Sequence, residues 1–278
     1  MRIDAHQHYW NIERGNLGWL EEGTILYRSY LPDDLQVNLA KHRIDATIVV
    51  QAEPKHEETD FLLSLAASDS SVAGVVGWLD LASPDYKAVY QRFNSDPKFV
   101  GFRVMIQEMA DANEVLTPRY IEALTYFADL AQPLDLLMRA SQLDAVVRLL
   151  EKVPHLHAVI DHIGKPPIAA GELEPWKEQL RILASYPNVY CKLSGMVTEA
   201  DHSHWKQEQF VPYIRHAIEC FGPQRVMFGS DWPVCLLAAT YDQCMEVLES
   251  ALPDEYGSQE REALFGGNAA RFYRIKIQ

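Results

Sequence analysis

Eight short apolar runs, separated by stretches of helical periodicity, constrain this chain more than any other feature of it. They are RIDAHQH at 2–8, ATIVVQ at 46–51, AGVVGWLD at 73–80 and VGFRV at 100–104, then LDLLMR at 134–139, HAVIDHIG at 157–164, VYCKLSG at 189–195 and VMFGSDWP at 226–233. Strands apolar on both faces belong in a parallel sheet covered by helices. Eight of them alternating with helices in 278 residues predict a closed (β/α)8 barrel, a fold that occupies about this length as a single domain. An open doubly wound sheet is the competing arrangement, but no glycine-rich turn follows the first run to support it.

The intervening segments supply the helices. Thr117-Pro118 offers an N-cap residue and a first-turn proline to YIEALTYFADLA, and Ser141 with Asp144 three residues on predicts a capped helix through QLDAVVRLLEKV. Helical spacing also covers 57–67, 176–186, 210–221 and 241–252. The long stretch from Asn11 to Leu31, carrying Trp19, Tyr27 and Tyr30, reads as an excursion after the first strand, placed to lie over the barrel mouth. No linker, low-complexity tract or charge block divides the chain, so 1–278 is expected to be one domain.

A formal charge of −14 argues against nucleic acid or an anionic membrane as partner, because both need clustered Lys and Arg. No run approaches the roughly 18 apolar residues of a membrane span, and residues 1–20 hold Arg2, Asp4, Glu13 and Arg14 without an apolar core, so a cytoplasmic protein is expected. Cys191, Cys220, Cys235 and Cys244 have no CxxC spacing and read as free thiols.

Catalytic groups of such a barrel sit at the C-terminal ends of its strands. The polar residues expected there are His6 and His8, Gln51, Asp80, Arg103, Arg139, His162 with Lys165, Lys192 with Ser194, and Asp231. The pattern HxH occurs three times, and only position separates the copies. His155 and His157 precede or begin the sixth strand, at the inert face, while His202 and His204 lie in a polar loop after the seventh. His6 and His8 are two apart in a strand and therefore share a side, which in a barrel can be the interior. His162 in VIDHIGKP and Asp231 in FGSDWP end strands at the same face. A carboxylate facing three imidazoles is suited to activating water. Gln51, Arg103, Arg139 and Lys192 could bind substrate or satisfy the barrel rim. Trp78, Trp232 and Tyr9 could wall a pocket or fill the core.

Together, His6-Gln7-His8, DHIGKP, KLSG and GSDWPV, in that order, resemble the amidohydrolase superfamily, and within it the amidohydrolase-related branch of sugar and pyrone-dicarboxylate lactonases. The resemblance extends from residue 2 to GGNAARFY at 266–273, which is similar to that family's closing helix. It implies a metal-dependent-hydrolase-like barrel that opens a small-molecule sugar lactone such as L-fucono- or L-rhamnono-lactone. Asp231 would then be the general base, His6, His8 and His162 would polarise the carbonyl, and Lys165, Lys192 or a histidine would protonate the leaving oxygen. Gln51, Arg103, Lys165, Lys192 and Trp232 would contact substrate.

The strand 4 lysine or glutamate and strand 5 histidine of binuclear members have no counterpart, since those strands end in Arg103 and Arg139. The resemblance thus implies either no metal or a single Zn²⁺ on His6, His8, His162 and Asp231. A zinc-dependent decarboxylase and a pyrone-dicarboxylate lactonase are the alternative activities, and a silent sugar-acid-binding barrel is the alternative without catalysis. A homo-oligomer is left open.

Overall fold

The structure, a computed structural model, describes residues 1–15 and 17–276. Asn16, inside the predicted excursion, and residues 277 and 278 lie outside the described residues. The strands are β1 (Ile3–Gln7), β2 (Ala46–Val50), β3 (Val72–Gly77), β4 (Phe99–Met105), β5 (Leu134–Leu137), β6 (Ala158–Ile160), β7 (Val189–Leu193) and β8 (Val226–Phe228). They pair in sequence order, every ladder parallel. The helices that follow them are α1 (Pro32–His42), α2 (His56–Ser68), α3 (Tyr86–Asn94), α4 (Pro118–Asp129), α5 (Leu143–Lys152), α6 (Trp176–Ala184), α7 (Val211–Phe221) and α8 (Tyr241–Ala251). Two short helices, α9 (Ser258–Glu262) and α10 (Asn268–Phe272), complete the chain, and Phe272 and Tyr273 plug the barrel floor against Ile3, Ala5 and Ile48.

Closure occurs just beyond the strands. The His8 amide donates to the Trp232 carbonyl at 2.7 Å and the Asp231 amide to the His6 carbonyl at 2.8 Å, with a parallel bridge between Gln7 and Trp232. The seam of the barrel therefore runs through the residues expected to do chemistry.

All eight strands occur where the sequence places them, but all except β4 are shorter than the runs that announced them, β6 and β8 most of all. The chain leaves the sheet after Ile160 and Phe228 because His162, Ile163, Lys165 and Asp231 adopt left-handed backbone, with φ of 54°, 48°, 49° and 58°. Each such non-glycine residue costs roughly 1–3 kcal/mol, and they gather where function demands unusual aim. The Trp176 indole N–H holds the first of these turns through the Ile163 carbonyl at 2.7 Å.

Three helices, α1, α3 and the short α9, were not anticipated. Ser141 does not cap α5; it lies in a 3₁₀ turn, Ala140–Gln142, where Gln142 Oε1 accepts from the Arg139 amide at 2.9 Å. Thr117 precedes α4 as expected, yet its hydroxyl donates to the Glu114 carbonyl at 2.8 Å instead of capping the helix. No helix of the described residues is long and apolar enough to cross a membrane, and Cys191, Cys220, Cys235 and Cys244 are free.

Candidate active site

Strict alternation along β1 would send Asp4, His6 and His8 to one side. The ladder with β2 instead shifts register between Asp4 and Gln7. Asp4 points outward, accepting from the Tyr241 hydroxyl on α8 at 3.1 Å and from the Ser230 amide at 2.9 Å, whereas Ala5 packs with the interior cluster. The irregularity re-aims His6 into the barrel, with His8 beside it, as bulges near active sites commonly do. Burial pushes the Asp4 carboxyl up to about 6, against the lowering effect of its bonds to Ser230, His6 and Tyr241.

Three imidazoles converge with one carboxylate at the mouth. His6 Nε2 lies 3.2 Å from His8 Nε2, and Asp231 Oδ1 lies 3.2 Å from His8 Nε2, 3.7 Å from His6 Nε2 and 3.9 Å from His162 Nε2. His8 is oriented by its Nδ1–H, which donates to the Val50 carbonyl at 2.7 Å, leaving Nε2 with a lone pair inward when the ring is neutral. His162 is oriented through Nδ1 and Ser194 Oγ at 2.9 Å. Glycine is required next to both rings: a Cβ on Gly195, whose φ is +60°, would come within 2.3 Å of His162 Nδ1, and one on Gly229 within 2.6 Å of His6 Cβ.

Burial holds the His6 and His162 imidazoles well below their ordinary value of 6.5; Lys192 adds to this at His6, and Asp231 opposes it at His162. Burial would raise Asp231, but His162, His8 and Lys165 keep its carboxyl below the usual carboxylate value. The centre therefore holds an ionised carboxylate and two neutral imidazoles at neutral pH.

Beneath His6 lies an ion network that sequence reasoning missed. Asp161 Oδ1 is 3.3 Å from His6 Nδ1 and 3.2 Å from Lys192 Nζ, and Asp161 Oδ2 is 3.5 Å from Arg103. Lys192 also pairs with Asp135, which accepts from the Tyr273 hydroxyl at 2.6 Å. Burial raises Asp135 to about 6 despite Lys192, whereas Lys192, His162 and Arg103 overcome the same burial at Asp161 and hold it low. A lone Asp in the apolar runs LDLL and AVID was the available signal, since an unpaired carboxylate is too costly to bury.

Above the centre opens a cleft of about 700 Å³ lined by His8, Arg103, His162, Lys165 and Asp231. Its wall also carries Trp19, Glu53, Gln107, Glu108, Thr198, Glu199 and His202. The excursion after β1 does reach the mouth, where the Gly18 amide donates to Glu53 Oε1 at 2.9 Å and Trp19 packs edge-on against Trp10. Lys165 lies 3.6 Å from Glu199. His202 is exposed and borders the cleft, while His204 points to solvent. His155 pairs with Asp129 and His157 stacks on Phe272, both away from the cleft.

Three residues expected to touch substrate are not in the cleft wall. Lys192 is fully buried below His6, held by two carboxylates. The Gln51 side chain is buried while the backbone carbonyl of that residue accepts from Arg103, and Trp232 packs between Tyr9 and Tyr30. Arg139 is exposed outside the cleft, and Asp80 closes a turn through the Ala82 amide at 2.9 Å.

The donor set fits a single divalent cation. Ligands at the usual Zn–N distance stand about 3.3–3.5 Å apart on a tetrahedron, and the spacing among His6, His8 and Asp231 brackets this. The His8 lone pair and the Asp231 carboxylate, both acceptors, face each other and call for a positive charge between them.

Residues 3–275 match the family model described as amidohydrolase. The chain is 39% identical over 278 residues to an L-fucono-1,5-lactonase of Burkholderia ambifaria, covering 99% of this chain and 96% of that protein. It is 37% identical to an L-fucono-1,5-lactonase of Burkholderia multivorans, again covering 99% and 96%. An amidohydrolase from Burkholderia multivorans with bound zinc superposes with a TM-score of 0.93 at 37% identity, over 99% of this chain and 100% of that one.

Proposed function

The chain belongs to the amidohydrolase family, and from that premise we propose that it is a hydrolase opening a neutral six-carbon sugar lactone, L-fucono-1,5-lactone first among them, to the aldonic acid. The observation that carries the reading is the Asp231 carboxylate, kept ionised among His6, His8 and His162 at the floor of a cleft rich in hydroxyl-binding groups. Glu53, Gln107, Glu108, Thr198 and Glu199 can each pair with a sugar hydroxyl. A pyrone dicarboxylate would need free arginines, but Arg103 is engaged by Asp161 and the Gln51 carbonyl, and Arg139 lies outside the wall.

Asp231 takes a proton from water as it adds to the lactone carbonyl. His162, held by Ser194, and Lys165 donate toward the oxyanion. Collapse breaks the ring C–O bond, and Lys165 supplies the proton to the departing alkoxide; Lys192 is too deep to do so. His6, His8 and Asp231 would hold a divalent cation, which when bound supplies a Lewis acid for the carbonyl oxygen. Proton release from a panel of aldono-1,4- and 1,5-lactones and pyrone dicarboxylate, with wild type and Asp231→Asn, tests the proposal. Turnover confined to sugar lactones and lost in the variant is expected; no lactone turnover overturns it.

A further inference from the structure

His6 Nδ1 stands between a donor and an acceptor at nearly equal distance: Lys192 Nζ at 3.1 Å and Asp161 Oδ1 at 3.3 Å. All three groups are fully buried, so water cannot substitute for either partner. The Lys192 contact has hydrogen-bond geometry, whereas Asp161 Oδ1 has no hydrogen bond.

With Lys192 donating to Nδ1, a neutral His6 carries its proton on Nε2 and can donate it to His8 Nε2, 3.2 Å away. His8 in turn has Nδ1–H on the Val50 carbonyl, so every donor along this line meets an acceptor. A metal ion, however, needs the Nε2 lone pair of His6. The ring must then carry its proton on Nδ1, where the nearest acceptor is Asp161 Oδ1, which is in ion-pair contact with Lys192 but accepts no hydrogen bond.

We propose that Lys192 and Asp161 are positioning residues that set the tautomer of His6, and through it the affinity of this centre for a divalent cation. Lys192 favours the Nε2–H ring, which is metal-free and a hydrogen-bond donor toward His8. Asp161 favours the Nδ1–H ring, which is a metal ligand. Passing between them moves one proton from Nε2 to Nδ1 and leaves the net charge of the ring unchanged. Asp135 anchors Lys192 from below and is itself tied to Tyr273, so the balance is built into the barrel interior. The proposal uses the metal-capable donor set described above and not the lactone reading, and neither readout below involves substrate.

The test is ¹⁵N NMR of histidine-labelled protein, the His6 signals assigned by their loss in His6→Gln, together with zinc affinity from competition with a chromophoric chelator. Metal-free wild type is expected to show the Nε2–H tautomer of His6, and zinc to convert it to Nδ1–H. Asp161→Asn offers Nδ1 an amide donor and should weaken zinc at least tenfold. Lys192→Met combined with Asp135→Asn, which removes one charge of each sign, should show Nδ1–H without metal and tighten zinc at least tenfold. Nδ1–H in the metal-free wild type overturns the proposal even if the double variant does not fold. So does zinc affinity within threefold of wild type in Asp161→Asn, or no zinc binding by wild type.

Discussion

The backbone amide of Asp231 donates to the carbonyl of His6 at 2.8 Å, so the carboxylate and the first imidazole are joined through the main chain where the barrel closes. Because that bond does not involve the carboxyl group, Asp231→Asn should keep it, and asparagine tolerates the φ of 58° found here. The variant is expected to melt within a few degrees of wild type while losing roughly 10²–10⁴-fold in kcat. Calorimetry and a lactone assay on the same preparation check this; a large fall in Tm would mean that the carboxylate is structural.

Gly195→Ala should damage the site without touching any polar group. The new methyl would meet His162 Nδ1 at 2.3 Å in a left-handed backbone, so the ring must leave Ser194. A loss of about 2 kcal/mol or more in stability is expected from strain and overpacking, with kcat falling further than KM changes. Denaturant titration and steady-state kinetics measure the two effects.

Lys165 borders the cleft, and a role as proton donor to the leaving oxygen predicts dependence on that oxygen. Lys165→Met should slow an aldonolactone, whose alkoxide needs a proton, much more than dihydrocoumarin, whose phenolate leaves unaided. Equal losses on both would confine Lys165 to the oxyanion and leave the alkoxide to another donor.

Glu58 gives a pH prediction. It is buried behind the β2 end, its Oε1 accepting from the Ala52 amide, and burial raises its carboxyl from 4.5 to about 7 against the Ala52 and Glu53 amides. Between about pH 4.5 and 7 the folded protein holds a proton that the unfolded chain has released, so this group's contribution to stability falls as pH rises and levels off above 7. Glu58→Gln removes that fall. Its stability relative to wild type should grow from pH 5 to pH 8 by roughly 2–3 kcal/mol, read from paired urea titrations; a constant difference would show that Glu58 does not titrate in this range.

A cation at the His6–His8–Asp231 centre stabilises the fold by mass action. Zinc at about one hundred times its Kd should add about 2.7 kcal/mol to chelator-treated protein, seen as a rise in Tm, and His8→Ala should remove most of the rise. An undiminished rise in that variant would place the zinc elsewhere.

Much of this was legible in the chain. Alternation of apolar runs with amphipathic segments determines a parallel sheet covered by helices on its outer face or faces, and eight such units without a glycine-rich first turn point to the closed barrel that the strand order shows. The spacing of His6 and His8, and the strand-end positions of His162, Lys165 and Asp231, were equally readable, and all five residues gather at one mouth. What the tertiary structure decided is aim and pairing. A register shift in β1 turns His6 inward, and left-handed backbone at His162 and Asp231 presents their side chains to the cleft. Lys192 could be read only as a polar strand-end group, but Asp135 and Asp161 hold it in the interior, outside the cleft wall. The physical reason is that the periodicity of a strand records which face a residue takes, whereas the cost of burying a charge is met by partners from distant strands, and only the closed barrel brings those together.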